Sequence, residues 1–169
     1  MSYESVFKTM KRLILMRHAE AGWHINIDDH ERPLSTSGVR DAKKIGLWLK
    51  EKKYIPDEVI SSTSTRTRQT FNGLLLECIP TFEKSLYLAD ANHMKSMLQK
   101  LLSNTVILLG HNPGISELAY ELIQNDEKEA HFIDFPAAST LVIDFNVGQW
   151  SKIKSDSAKF VDFITPRQL

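Results

Sequence analysis

The chain has 169 residues, 42% hydrophobic and 25% charged, with 21 Lys and Arg against 21 Asp and Glu. That length suits a single domain over residues 1–169, and the neutral balance excludes the basic surplus of an electrostatic nucleic-acid or membrane binder. Cys78, the only cysteine, permits no internal disulfide, no apolar run reaches spanning length, and Leu13 to Met16 breaks at Arg17-His18 instead of forming a signal peptide, so the chain reads as cytoplasmic.

After a short extension at residues 1–10, Lys11 to Met16 is an apolar run suited to a buried strand. Arg17 to Pro33 is polar and irregular, a long loop of the kind that is often functional. Ser35 is placed to cap a helix through Trp48 and Leu49, with Val39, Ala42, Gly46 and Leu49 on one face. Glu58 to Ser61 is a second short strand. A helix follows from near Ser64 to about Glu77, with Phe71, Leu74, Leu75 and Cys78 inward, and Pro80 ends it. Met94, Met97, Leu98, Leu101 and Leu102 repeat at the spacing of an amphipathic helix and read as core. Thr105 to Leu109 is the most apolar strand and runs into Gly110-His111-Asn112-Pro113-Gly114, where Asn112 suits an N-cap and Pro113 the first helical position. The next helix presents Ile115, Leu118, Ala119, Leu122 and Ile123. Thr140 to Phe145 and Trp150 to Lys154, joined by Asn146 to Gln149, read as a closing hairpin.

Strands alternating with helices predict a three-layer α/β/α domain whose mostly parallel sheet is covered on both faces. Such sheets bind ligands at the carboxyl ends of their strands. Three segments fall there: Arg17-His18, Ser62 to Arg66, and His111-Asn112.

Arg17, His18, Arg66 and His111 stand out within these segments. The guanidinium fork suits phosphate oxygens and stays charged at any useful pH. A neutral imidazole is a competent nucleophile near neutrality, and neighbouring guanidinium groups keep it neutral. A second histidine can donate to the equatorial oxygens as charge moves in a phosphoryl transfer. Arg66 falls in the first turn of its helix, where the macrodipole disfavours a cation unless an anion binds between them. Arg68 points elsewhere and reads as a surface charge. Each of these residues alone has an ordinary alternative: a chance Arg-His pair, a satisfied loop histidine, a solvated arginine. Ser61 and Ser62 read as turn and capping residues, and His93 and His131 as exposed histidines. A metal site on His18, His24 and His30 is the competing reading, but their spacing of six matches no strand or helix face and no cysteine assists.

Leu15-Met16-Arg17-His18-Ala19-Glu20-Ala21 resembles the Arg-His-Gly signature of the histidine phosphatase superfamily. Glu31-Arg32-Pro33-Leu34-Ser35 with Gly38 is similar to that family's Arg-Pro-Leu-Thr-x-x-Gly segment. Ser61-Ser62 through Arg66, then Gln69-Thr70, resembles its Ser-Pro-x-x-Arg-Ala-x-Gln-Thr stretch, and Leu109 to Pro113 its second-histidine motif. The order holds from Leu13 to about Ala119 and more weakly to Phe145, and the nearest branch is the short, SixA-like phosphohistidine phosphatases.

That resemblance implies a phosphoglycerate mutase-like fold, His18 as phospho-acceptor, and a phosphate pocket of Arg17, Arg66 and His111, with no cofactor and no metal. Ala19 stands where glycine is usual and Thr63 where proline is usual. Ser85 occupies a place where relatives often carry an acid, which leaves Glu83, Asp90 and Glu20 as candidates for the general acid. A phosphorylated imidazole leaves more easily than an alkoxide, so a weak acid constellation points to phosphohistidine or another phosphoramidate. The short span after the Arg66 helix leaves no room for the helical lid of the sugar-phosphate mutases, so the pocket is expected to be open to a phosphorylated protein. The alternatives are a small-molecule phosphatase or mutase-like enzyme, and a phosphoprotein-binding module without turnover.

Overall fold

A computed structural model describes residues 10–123 and 134–169, so residues 1–9 of the expected extension and His131 lie outside the described residues. Among the described residues six strands form one sheet: β1 (Lys11–Arg17), β2 (Glu58–Ser62), β3 (Thr81–Glu83), β4 (Thr105–Gly110), β5 (Thr140–Phe145) and β6 (Ala158–Ile164). Their order is β3-β2-β4-β1-β5-β6. The first four are mutually parallel, whereas β5 runs antiparallel to β1 and β6 antiparallel to β5.

Successive residues of a strand face opposite sides of a sheet, and here both sides are dry. Leu13 and Leu15 of β1 enter one core with Val106 and Leu108 of β4. Ile14 and Met16 enter the other with Ile107 and Leu109. This is why the central strands read as unbroken apolar runs. The helices α1 (Thr36–Glu51) and α2 (Thr65–Leu74) cover the second core through Ala42, Ile45, Trp48, Leu49, Phe71 and Leu74. The helices α3 (Ala91–Leu98) and α4 (Gly114–Leu122) cover the first. The result is a three-layer α/β/α domain on a mostly parallel, mixed sheet. Among the described residues no helix is long and apolar enough to cross a membrane.

The cap of α1 is where the hydroxyl pattern puts it: Ser35 Oγ accepts the Gly38 N–H at 3.0 Å. A Cβ at Gly46 would fall 2.2 Å from the Leu74 carbonyl oxygen, so glycine lets α1 and α2 meet backbone to backbone. Other details differ from the sequence pattern. Val39 is 56% exposed. The helix α2 stops at Leu74, because Leu75 turns left-handed (φ 53°) to cap it and points to solvent. The helix α3 ends at Leu98 and Leu102 is exposed. There the buried Lys11 ammonium collects the carbonyls of Leu102 and Ser103, drawing the chain out of helical register toward β4.

Asn112 does not cap α4. Its Nδ2 donates instead to the Phe135 carbonyl at 3.1 Å, and α4 starts at Gly114 without a side-chain cap. The closing hairpin also differs. Trp150 is fully buried in a 3-10 turn, its indole N–H on the Ser103 carbonyl at 2.7 Å, and β5 pairs with Ala158–Ile164. A buried indole needs both an apolar socket and an acceptor, and only the folded chain brings Ser103 to it.

Candidate active site

Parallel register sets the carboxyl ends of β1, β2 and β4 side by side, with Arg17 opposite Gly110 and Ser61 opposite Leu109. The backbone just beyond β1 is held on both sides. The His18 N–H donates to Gly110 at 3.0 Å, and the His18 carbonyl accepts the Ala138 N–H at 3.0 Å. Thr70 Oγ1 of α2 accepts the N–H of the fully buried Ala19 at 2.9 Å. His18 is therefore aimed by three elements.

The ring of His18 has a defined tautomer. Its Nδ1 lies 2.7 Å from the Ala19 carbonyl oxygen, which can only accept, so Nδ1 carries the proton and Nε2 holds the lone pair. Arg66 Nε donates toward that Nε2 at 3.3 Å. Burial lowers the His18 pKa to about 4, assisted by the charges of Arg66, Arg17 and Arg32 and opposed by the Ala19 hydrogen bond. The ring is neutral at physiological pH.

His111, 1% exposed at the end of β4, packs its ring 5.2 Å from that of His18. Ser62 Oγ accepts the Ser64 N–H at 3.3 Å, and His111 Nε2 at 2.8 Å is the one acceptor among the described residues for the Ser62 hydroxyl proton. That leaves the proton of His111 on Nδ1, a buried atom with no partner among the described residues. Burial, then the charges of His18 and Arg66, lower the His111 pKa to about 3. Arg17 places Nη1 on the Phe135 carbonyl at 3.2 Å, while its buried Nε has no partner among the described residues. Burial, and then the charge of Arg66, push the Arg17 pKa down.

Arg66 is 3% exposed and spends both terminal nitrogens on one residue: Nη1 on the Asp29 carbonyl at 2.5 Å and Nη2 on Asp29 Oδ2 at 3.0 Å. Asp29, in a 3-10 turn of the long loop, also accepts the Tyr87 hydroxyl at 2.5 Å and Arg32 Nη1 at 2.9 Å. The Tyr87 bond, then those of Arg32 and Arg66, hold its carboxyl well below the usual carboxylate range. The Tyr87 ring stands edge-on to His111 at 5.5 Å. Asp29 thus ties together two arginines and the tyrosine that buttresses His111. Neither Asp29 nor Tyr87 is marked out by the sequence pattern. The one signal for Asp29 is its place three residues before Arg32, the reach of a helical ion pair.

A pocket of about 380 Å³ opens over this arrangement, lined by Arg17, His18, Arg66, Arg32, Glu20 and Trp23 among others. His111 lies against the His18 ring and not on the pocket wall. A larger hollow of about 520 Å³ adjoins it and shares Glu20 and Ala137, but Asp41 sits among its cations and neither of these two histidines lines it.

Of the three candidate acids, only Glu20 lines the pocket, and the hydroxyls of Ser37 and then Ser35 hold its pKa down. Asp90 caps α3 by accepting the His93 N–H at 2.8 Å, and Glu83 ends β3. Ser62 is a partner of His111 as well as a turn residue. Arg68 donates to the Thr63 carbonyl and covers the Phe82 ring at the surface. Among the described residues no three His, Cys, Asp or Glu side chains are grouped to hold a metal ion, and His30 directs its ring nitrogens to Glu31 and Thr63.

Residues 13–95 match the family model of the histidine phosphatase superfamily, branch 1. An uncharacterized protein of Mycobacterium tuberculosis is 30% identical over 90% of this chain and 100% of its own length. A chloroplastic uncharacterized protein of Arabidopsis thaliana is 33% identical over 64% of this chain and 57% of its own. Among solved structures, a SixA protein of Nakamurella multipartitia, assigned as a phosphohistidine phosphatase, superposes with a TM-score of 0.80 at 27% identity, covering 93% of this chain and 96% of that one. A SixA protein of Agrobacterium tumefaciens, assigned likewise, gives 0.80 at 26%, covering 92% and 98%. With its ordered motifs, its sheet and these relatives in agreement, the chain belongs to the histidine phosphatase superfamily, branch 1, and has the phosphoglycerate mutase-like fold of that family.

Proposed function

We propose that the chain is a phosphatase that works through a covalent phosphohistidine on His18 and acts on protein phosphohistidine. The observation that carries this reading is the tautomer of His18: Nδ1–H on the Ala19 carbonyl and the lone pair on Nε2, facing the Arg66 Nε that donates toward it. Arg17 and Arg66 line the pocket and bind the non-bridging oxygens, and His111 Nδ1–H, without a partner among the described residues, is a donor one ring away from them across His18. The Nε2 lone pair forms the N–P bond as the bond from phosphorus to the leaving group breaks. Water then attacks the phosphorus and returns the bonding pair to Nε2, releasing phosphate. No base is needed in the first step, because the ring is already neutral above pH about 4.

The acids support this substrate class. Glu20 and Asp29 are both held ionised, so neither supplies the proton that an alkoxide leaving group requires. A phosphorylated imidazole departs as a far weaker base. The decisive experiment sets a phosphohistidine protein, a phosphoramidate and common sugar phosphates side by side, with acid-free quenching of labelled substrate. The expected result is preference for the phosphorus–nitrogen substrates and an acid-labile, base-stable phosphoenzyme that is absent in His18→Ala. Full activity of His18→Ala, or label on an acid-stable serine ester, removes His18 as the nucleophile.

A further inference from the structure

The loop between His18 and α1 carries three large apolar side chains within five residues, and all meet solvent. Trp23 is 88% exposed, Ile25 92% and Ile27 42%. Single exposed apolar residues are ordinary, but large ones gathered at a pocket mark an interaction surface. These are continuous with the site, since Trp23 lines the pocket with Arg17, His18 and Arg66.

The loop is tied down. Its base is closed by the Gly22 N–H on Pro33 and the Ser35 N–H on Glu20, each at 2.9 Å. The Arg32 guanidinium lies 4.2 Å from the centre of the Trp23 ring, while its Nε donates to the Gly22 carbonyl and its Nη1 to Asp29. An arginine of the pocket therefore holds the indole in water, where it gains nothing from burial within the fold. A rigid aromatic kept exposed beside a site is an anchor preorganised for a partner.

We propose that Trp23, Ile25 and Ile27 form a docking rim for the protein that bears the phosphoryl group, a partner whose apolar side chains flank the phosphorylated histidine. This rim rests on the phosphohistidine-protein reading of the site and adds its recognition surface. The occupant follows from continuity. A ligand that places its phosphoryl group between Arg17 and Arg66 and also covers Ile25 extends well beyond one phosphorylated side chain, which is the reach of a polypeptide. Trp23, Ile25 and Ile27 alternate along the loop with the exposed His24, Asn26 and Asp28, and apolar neighbours of the phosphorylated residue complement those three positions.

The probes are two peptides with a hydrolysis-resistant phosphohistidine analogue, one flanked by leucines and one by serines. Each is titrated into the wild-type chain and into the Ile25→Ser, Ile27→Ser double variant. Trp48 and Trp150 are buried, at 5% and 0% exposure, so a change in tryptophan emission reports Trp23. The leucine-flanked peptide is expected to bind at least about tenfold more tightly and to blue-shift the emission. In the double variant that advantage disappears, while the serine-flanked peptide keeps its affinity within about twofold. Equal affinities in the wild type, or an advantage that survives in the variant, overturn the rim and leave the activity of the site untouched. Failure of both peptides to bind the wild type overturns the phosphohistidine reading and the rim with it.

Discussion

Two neutral histidines buried against arginines make the stability of this fold depend on pH in a window that carboxylates leave clear. An unfolded histidine titrates near 6.5, whereas His18 and His111 in the fold titrate at about 4 and about 3. The fold therefore favours their neutral forms. Their contribution is complete above pH about 6.5 and is lost as the pH falls toward the folded values. At pH 5 each unfolded ring has taken up its proton with a gain of about 2 kcal/mol, while the folded rings stay largely neutral. The pair thus removes about 4 kcal/mol of stability between pH 7.5 and 5, reduced to about 3 because His18 is only half-buried at the pocket. That is a large share of the 5–15 kcal/mol typical of a domain, roughly speaking. The depressed pKa values of Asp29, Glu20 and Glu31 work in the same direction, but their effect is lost only through the carboxylate range near pH 4 and below. Urea unfolding at pH 7.5, 6.5, 5.8 and 5, values spaced across roughly this window, measures the slope. The wild type is expected to lose stability with a slope approaching two protons, and the His18→Gln, His111→Gln double variant to lose about 3 kcal/mol less. The same slope in both proteins would refute the assignment of the low pKa values to this pair.

Arg66→Ala is expected to lower kcat/KM at least about tenfold, since a charge-assisted bond contributes roughly 1.5–3 kcal/mol, whereas Arg68→Ala leaves it nearly unchanged. Equal losses in steady-state assays of the two variants would show that Arg66 does not contact the phosphoryl group. Ser62→Ala removes the donor that fixes the proton of His111 on Nδ1, a neutral bond of about 1 kcal/mol, so kcat falls about fivefold and nitrogen NMR of the ring shows mixed tautomers. An unaltered Nδ1–H tautomer in that variant would show that something other than Ser62 sets it.

The order of elements, the two-sided core and the gathering of Arg17, His18, Arg66 and His111 at the strand ends were legible from the chain alone. Apolar runs too long to alternate with polar residues specify strands covered on both faces, and the helices that connect β1 to β4 in the chain make those four strands parallel. In that arrangement each residue that follows a strand arrives at one edge of the sheet. What the tertiary structure alone decided is the identity of the partners that adjust these groups. The carbonyl that fixes the His18 tautomer is adjacent in sequence, yet its direction depends on Thr70 and Gly110. Asp29 and Tyr87 lie 58 positions apart and meet at Arg66. Trp150 moved out of the expected hairpin because its indole found a socket and the carbonyl of Ser103, 47 residues away. Periodicity reports which faces are apolar, a property each segment carries by itself. A hydrogen bond between distant side chains is directional and short-ranged, and it comes into being only when the whole chain has closed around it.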